Sequence, residues 1–296
     1  MGGGSGQRGL FGGGEPAALF LDYITISTLG NGNDFGTLTA TRNDGPGGLS
    51  SSTRAVFGGG NDSGVSDTID YVTHASLGNA ADFGNLTDAR LGCSAFSNDT
   101  RGIWAAGKDP GESNIIDYIT IATAGNATDF GDATVARGAP HARGMSTTRG
   151  LCAGGGSPSP GNVIDYVTIA STGDATDFGD LTSSRRQGAG DSSSTRAVFG
   201  GGLTPSETNV IDYVTIASVG DAADFGDLVI AMRAASCGSN SIRQVFAGGY
   251  GGSPAANIDN IQYITIASTG DTTDFGDLTG ATRGTGGTSN GHGGLS

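Results

Sequence analysis

Hydrophobic and polar residues alternate with a period of two in short segments along the whole chain. The segment 210–218, with the sequence VIDYVTIAS, is typical. Such alternation is characteristic of half-buried β-strands, and the segments are separated by turns rich in Gly, Asp and Ser. No window of ten or more residues has the 3.6-residue period of an amphipathic helix. The pattern predicts an all-β protein.

The alternating segment belongs to a unit that occurs six times, at a step of 47 to 50 residues. Each unit is anchored by a tyrosine: Tyr23, Tyr71, Tyr118, Tyr166, Tyr213 and Tyr263. Twelve residues later comes the phenylalanine of an Asp-Phe-Gly triplet: Phe35, Phe83, Phe130, Phe178, Phe225 and Phe275. A fixed step in this range marks a repeat architecture, in which each unit buries its apolar face against the next. We interpret residues 1–296 as a single domain of six units, each with four short strands.

The order of motifs within a unit resembles the kelch repeat. An Arg precedes a strand of small residues, a second strand ends in a Gly doublet, a third carries the Tyr, and a fourth carries an aromatic residue before the next Arg. Two departures are Phe in place of the usual Trp and a longer spacing from Tyr to the aromatic residue. The resemblance covers nearly the whole chain and implies a six-bladed β-propeller with four-stranded antiparallel blades. The amino-acid sequence of the repeats also resembles that of kelch-like proteins encoded by bacteriophages, particularly marine ones.

The two ends of the chain match complementary parts of one unit. The segment from about 284 to 296 matches only a first strand, and the segment from about 7 to 13 matches a second strand. We therefore expect the C-terminal strand to pair with the N-terminal strand and to close the ring. Closure removes the unpaired sheet edges that invite aggregation.

Arginines recur at two fixed places in the unit, and twelve of the fourteen belong to these two sets. The first set, seven or eight residues after the phenylalanine, is Arg42, Arg90, Arg137, Arg185, Arg233 and Arg283. The second set, at the start of the second strand, is Arg8, Arg54, Arg101, Arg149, Arg196 and Arg243. A guanidinium can bind several carbonyls or a carboxylate, so we expect these residues to join neighbouring blades. The alternative is a ring of Arg that faces a ligand.

The loop from the Gly doublet to the tyrosine varies between units, whereas the turn between the third and fourth strands keeps its length. The variable loop measures nine residues from Gly14 to Tyr23 and fourteen from Gly249 to Tyr263. Because functional residues are often placed on loops of a rigid frame, we expect recognition on this face, with unconstrained surface as the alternative. The candidate residues are Lys108, Asp109, Glu112, Ser157, Glu207 and Tyr250. For Tyr250 we weigh two interpretations equally: an anchor for a sugar or protein, or a side chain that packs on the glycines of its own loop.

Composition excludes several functions. The net charge of −14 disfavours a nucleic-acid partner. No apolar run approaches 18 residues and the N-terminus has no apolar signal core, so we expect neither membrane insertion nor export by an ordinary signal sequence.

His74, His141 and His292 fall in different units, and no catalytic set is evident. Two series of Asp recur, and rings of Asp can bind Ca²⁺, but no Asp-x-Asp-x-Asp loop occurs. We expect no cofactor or metal, with Ca²⁺ as the alternative.

The expected function is that of a non-catalytic interaction module. The phage resemblance implies a virion component made in the host cytoplasm, such as a tail, fibre or head-decorating protein. Its partners would be other virion or assembly proteins, or a glycan or protein of the host surface. The alternative is a free, extracellular carbohydrate-binding propeller that uses the variable loops. A glycan-active enzyme is a third hypothesis.

Overall fold

Six four-stranded antiparallel sheets surround a central channel and form a six-bladed β-propeller. The structure, a computed structural model, describes residues 7–16, 19–61, 63–139, 142–156 and 159–295. Two residues singled out in the sequence, His141 and Ser157, lie outside these ranges. The prediction of an all-β, six-bladed ring is confirmed.

Within each blade the strands follow one another from the channel outward. In blades one to three they are Gly286–Ser289, Arg8–Gly12, Phe20–Thr25 and Asn33–Thr37; Gly47–Ser50, Arg54–Gly58, Thr68–Thr73 and Ala81–Asn85; Ser94–Ser97, Arg101–Asp109, Gly111–Thr120 and Thr128–Arg137. In blades four to six they are Ala142–Met145, Arg149–Gly155, Gly161–Thr168 and Thr176–Asp180; Ala189–Ser192, Arg196–Gly200, Val210–Thr215 and Ala223–Asp227; Ser236–Ser239, Arg243–Ala247, Ala256–Thr265 and Thr273–Thr282.

Two short strand pairs and one helical turn complete the elements of the described residues. Leu203–Thr204 pairs with Ser206–Glu207 in blade five. Met232–Arg233 pairs with Tyr250–Gly251 in blade six. A 3-10 turn, Gly293–Leu295, follows the last strand.

Blade one is assembled from both ends of the chain. Its innermost strand, Gly286–Ser289, pairs antiparallel with Arg8–Gly12, so the predicted closure is confirmed. The strand is shorter than the predicted segment because the chain then turns into the channel. There His292 Nε2 lies 3.0 Å from the Ser50 carbonyl oxygen, and the Gly294 amide donates to His292 Nδ1.

The hydrophobic core is divided into six clusters, one between each pair of neighbouring blades. Between blades one and two, for example, Phe35 and Leu38 pack with Phe57 and Val72. Each cluster is shared by two blades, so every unit depends on its neighbours for the burial of its apolar residues.

A buried ion pair joins most neighbouring blades. Arg90 follows the outer strand of blade two, and its Nη2 lies 2.7 Å from Asp117 Oδ2 in blade three, with both side chains almost fully buried. Thr87 donates its hydroxyl and its backbone amide to the same carboxylate. The equivalent pairs are Arg42–Asp70, Arg137–Asp165 and Arg185–Asp212. These four members of the first Arg set lie at the joins between blades.

The second Arg set joins blades near the opposite face. Arg101 stacks on Tyr118 of its own blade, 4.4 Å from the ring centroid, and donates to the Ile169 carbonyl of the next blade at 2.8 Å. All six residues of the set repeat this arrangement around the ring. Each tyrosine also meets its phenylalanine edge-on, with centroids 5.8–6.0 Å apart.

The turn between the third and fourth strands is itself a contact between blades. The Gly78 amide donates to the Phe35 carbonyl of the preceding blade at 2.9 Å. Gly36 has a φ of +151°, and a Cβ there would lie 2.4 Å from the Gly78 oxygen. Because this contact recurs at every join, it constrains the length of the turn and the glycine on the fourth strand of the preceding blade.

Candidate functional site at the mouth of the channel

The variable loops and the connections between blades surround the channel mouth on the other face. Each connection from a fourth strand to the next first strand pairs with the start of a variable loop. Four of these rim pairs are Leu91 with Lys108, Arg186 with Leu203, Arg233 with Tyr250, and Arg283 with Glu15. The sheet framework therefore places the side chains of both segments at the same rim.

The mouth is narrowed by a ring of backbone hydrogen bonds. One residue from each connection has a φ between +51° and +66°: Gly45, Gly92, Ala139, Gln187, Ala234 and Gly284. Five amides of this ring donate to the carbonyl contributed by the preceding connection, at N···O distances of 2.7–3.1 Å. Three of the six residues are not glycine, so the left-handed backbone carries strain at these positions. The ring holds the rim residues in fixed positions.

A pocket of about 250 Å³ lies at this mouth. Its lining includes three basic side chains, Lys108, Arg186 and Arg233, and one acidic side chain, Asp44. Burial of the Asp44 carboxyl raises its pKa, and the nearby Glu15 acts in the same direction, while Arg283 opposes both. The pocket is thus a basic recess on a protein whose net charge is −14.

Two of these cations have no partner of their own. Within the described ranges, the side chains of Lys108 and Arg186 form no hydrogen bond, ion pair or ring contact. Each of the other thirteen arginines binds a carbonyl or a carboxylate. Both unpartnered cations line the same pocket.

Arg233 and Arg283 do not occupy the buried position of the first Arg set. They come eight residues after their phenylalanines, one more than the other four, and the buried position is taken by Met232 and Thr282. The extra residue places both arginines at the rim. Asp22, which would have paired with Arg283, forms no ion pair among the described residues. Burial raises the pKa of its carboxyl, and the hydrogen bonds from Thr279 partly oppose this rise.

Tyr250 lies between these two rim arginines. The guanidinium carbons of Arg233 and Arg283 are 4.9 and 5.2 Å from its ring centroid. Glu207 lies 3.4 Å from Arg233 Nε, and Glu15 lies 2.6 Å from Arg283 Nη2. Tyr250 is therefore partly buried and packed against two cations.

The remaining candidate loop residues surround the mouth at different distances. Lys108 and Glu112 are register partners in the hairpin of blade three, and Asp109 stands at its tip opposite Gly111. Glu207 lies in the small hairpin of blade five. The structure brings Lys108, Glu207 and Tyr250 to the rim, whereas Asp109 is exposed at the hairpin tip.

An arginine outside both repeat sets crosses the channel beneath the pocket. Arg143, on the innermost strand of blade four, donates to the carbonyls of Gly48 and Cys237 and lies 3.4 Å from Asp191 Oδ2. Its side chain is almost fully buried, so it links four blades across the axis.

Sequence reasoning missed both Arg143 and Arg186. The available signal was that these are the two arginines that do not recur once per unit. A residue that recurs in every unit usually makes the same contact between blades around the ring. A residue that occurs in one unit can instead contribute to a local binding site.

The other described groups that were considered for chemistry are buried. Cys93, Cys152 and Cys237 are free thiols, and burial raises the pKa of each. Burial lowers the pKa of His292, and it lowers that of His74 to about 3. In the part of the chain that the structure describes, no three His, Cys, Asp or Glu residues are grouped to hold a metal ion.

No protein-family model matches the chain, and a comparison with curated proteins finds no match. Within the described ranges, no helix has the length and apolar character needed to span a bilayer.

Proposed function

We propose that this chain is a non-catalytic interaction module that binds its partner with the loop-bearing face. The supporting observation is the different use of the two faces. On one face, invariant turns make the contacts between blades. On the other, loops of different length surround a strained rim with a charged recess. A rigid frame with loops of variable length on one face suits recognition.

We propose further that the ring is of the kelch type and that it is a component of a phage particle, as a tail, fibre or head-decorating protein. The order of motifs in the unit supports the kelch type, and the amino-acid sequence of the repeats supports the phage role. The redundant joins between blades suit a part that must stay folded on the outside of a particle. Its partners would be other virion proteins or a protein or glycan on the host surface.

The single lysine allows a direct test of this proposal. Lys108 lies at the mouth on the loop-bearing face, so an amine-reactive label marks this face and the N-terminus alone. We expect the protein to be present in purified particles, with Lys108 labelled in the free chain and protected in the particle. Asp174 and Asp221, exposed in the invariant turns, should react equally with a carbodiimide in both states.

Two outcomes would count against it. Absence of the chain from purified particles refutes the virion role. Labelling of Lys108 in the particle, with Asp174 and Asp221 protected instead, refutes docking through the loop-bearing face.

The second candidate is a carbohydrate-binding propeller, which the polar recess at the mouth favours. A sugar that stacks on Tyr250 would have to displace Arg233 or Arg283 from the ring. A glycan array with the wild type and Tyr250→Ala tests it: binding that the variant loses supports a lectin, and an array with no binding removes this candidate.

A further inference from the structure

Three cations line the mouth, and two of them, Lys108 and Arg186, have no partner among the described residues. Lys108, Arg186 and Arg233 come from blade three, the connection between blades four and five, and the connection between blades five and six. Like charges placed in one partly buried recess repel each other. A bound anion would remove this repulsion.

We infer that the channel mouth is a binding site for an oxyanionic group, and that its ligand is the carboxylate, sulfate or phosphate of a small polar molecule. The inference deepens the proposed function, because the mouth belongs to the face assigned to partner binding. It does not depend on whether the protein is found in particles.

The rim fixes the backbone that carries these cations before any ligand arrives. The backbone of Arg186 is bridged to that of Leu203, and the backbone of Lys108 to that of Leu91. Glu207 binds the Nε side of Arg233, at 3.4 Å, which leaves the two terminal nitrogens of the guanidinium available. A guanidinium fork binds two oxygens of a carboxylate, sulfate or phosphate at once, and a lysine adds a point charge.

The pocket also limits what the ligand can be. Its volume of about 250 Å³ is smaller than the range usual for drug-sized ligands, so one small group enters and a polymer does not. Arg143 closes the channel below it.

Asp44 lines the same recess, and Glu112 is the register partner of Lys108. These acids disfavour a highly charged ligand, and Asp44 can accept a hydrogen bond from a hydroxyl. A sugar acid, with one carboxylate and several hydroxyls, matches this set better than an inorganic anion.

The experiment is a ¹H–¹⁵N titration of the full chain with sodium glucuronate, sodium sulfate and sodium phosphate. Sodium chloride controls for ionic strength, and glucose for the neutral part of the sugar. We expect saturable shifts at the amides of Gln187, Ala234 and Gly284, with glucuronate binding more tightly than sulfate or phosphate. The variant Lys108→Gln/Arg186→Gln should weaken binding about ten- to a hundredfold, because charge-assisted hydrogen bonds are lost.

Arg243→Gln is a control for the loss of charge away from the site, since it removes a positive charge on the opposite face. It should leave the titration unchanged. Preference for sulfate or phosphate over glucuronate would assign the site to an inorganic oxyanion and still support it. Shifts that do not saturate with any of the three anions, or that persist unchanged in the double variant, would overturn the inference.

Discussion

At the scale of single residues, His74 is the exception in a ring of isoleucines. The equivalent positions in the other five units are Ile26, Ile121, Ile169, Ile216 and Ile266, all buried. His74 is 2% exposed, and neither of its ring nitrogens has a hydrogen-bond partner within the described ranges. A buried polar group without a partner costs free energy that isoleucine would not.

His74→Ile should therefore stabilise the protein. We expect the free energy of unfolding at pH 7 to rise by about 1–3 kcal/mol, the usual cost of one unsatisfied buried polar group. Urea denaturation followed by circular dichroism measures the change. The matched control is Ile121→His, which should destabilise the chain by a similar amount. Equal stability of the wild type and His74→Ile would show that the imidazole finds a partner in solution.

The same residue makes stability depend on pH. Burial holds the pKa of His74 at about 3 in the folded chain, below the value of 6.5 for an exposed histidine. Between these values the unfolded chain binds the additional proton, so the free energy of unfolding falls as the pH drops from 6.5 toward 3. The difference between His74→Ile and the wild type should grow by up to about 1.4 kcal/mol per pH unit in that window. A difference that stays constant from pH 7 to pH 4.5 would contradict this assignment.

At the scale of elements, the join between blades exists in more than one chemical form. Four joins bury Arg, Asp and Thr together, as Arg90, Asp117 and Thr87 do. Before blade six, Met232, Gln262 and Val229 stand at the same three positions. There the Gln262 amide oxygen accepts from the Val229 backbone and from Thr272 Oγ1 at 2.8 and 2.7 Å. The neutral join thus replaces every member of the charged one.

Transfer of the neutral join to another interface should be tolerated only as a complete set. Arg90→Met alone leaves Asp117 buried without its cation and should cost about 3–5 kcal/mol. The fourfold variant Thr87→Val/Arg90→Met/Asp117→Gln/Ala127→Thr reproduces blade six and should cost less than about 2 kcal/mol, since neutral replacements of buried ion pairs are often harmless. Denaturant unfolding of both variants compares them. If the fourfold variant were the less stable one, the two forms would not be interchangeable.

The strands were predictable from the sequence because each belongs to a unit that occurs six times. Alternation placed the strands, and the complementary ends indicated the closure. The site was less accessible, because it depends on departures from the repeat. A spacing of eight rather than seven residues is visible at Arg233, but only the packing of Met232 shows that the arginine moves to the rim. Arg143 and Arg186 lie on segments whose convergence at the axis follows from the closed ring.

At the scale of the whole molecule, the contrast between the faces has a physical cause. The invariant turns are constrained because each donates a hydrogen bond to the preceding blade. The loops of the other face begin at the rim but extend beyond it as separate hairpins, such as Arg101–Asp109 with Gly111–Thr120. Their length is therefore free to vary without opening the ring. The sequence varies most on the surface where ring closure constrains the length of the loops least. The charged mouth lies within that surface.

Closure itself can be tested by two truncations. Deletion of residues 284–296 removes the innermost strand of blade one and exposes the edge of Arg8–Gly12, so we expect loss of the cooperative thermal transition. Deletion of residues 291–296 removes His292 and the turn in the channel but keeps every strand pair of blade one, so the transition should remain, a few degrees lower.

Because the closing strand is held by hydrogen bonds and packing alone, the longer truncation should be rescued in trans. A synthetic peptide of residues 284–296 should restore the cooperative transition in a concentration-dependent way, whereas a scrambled peptide should not. Calorimetry measures both. Retention of a transition at the wild-type temperature without residues 284–296 would show that the other five blades hold the ring shut. Failure of the shorter truncation to fold would instead assign the closing role to the turn at Gly293–Leu295, which contacts the innermost strands from within the channel.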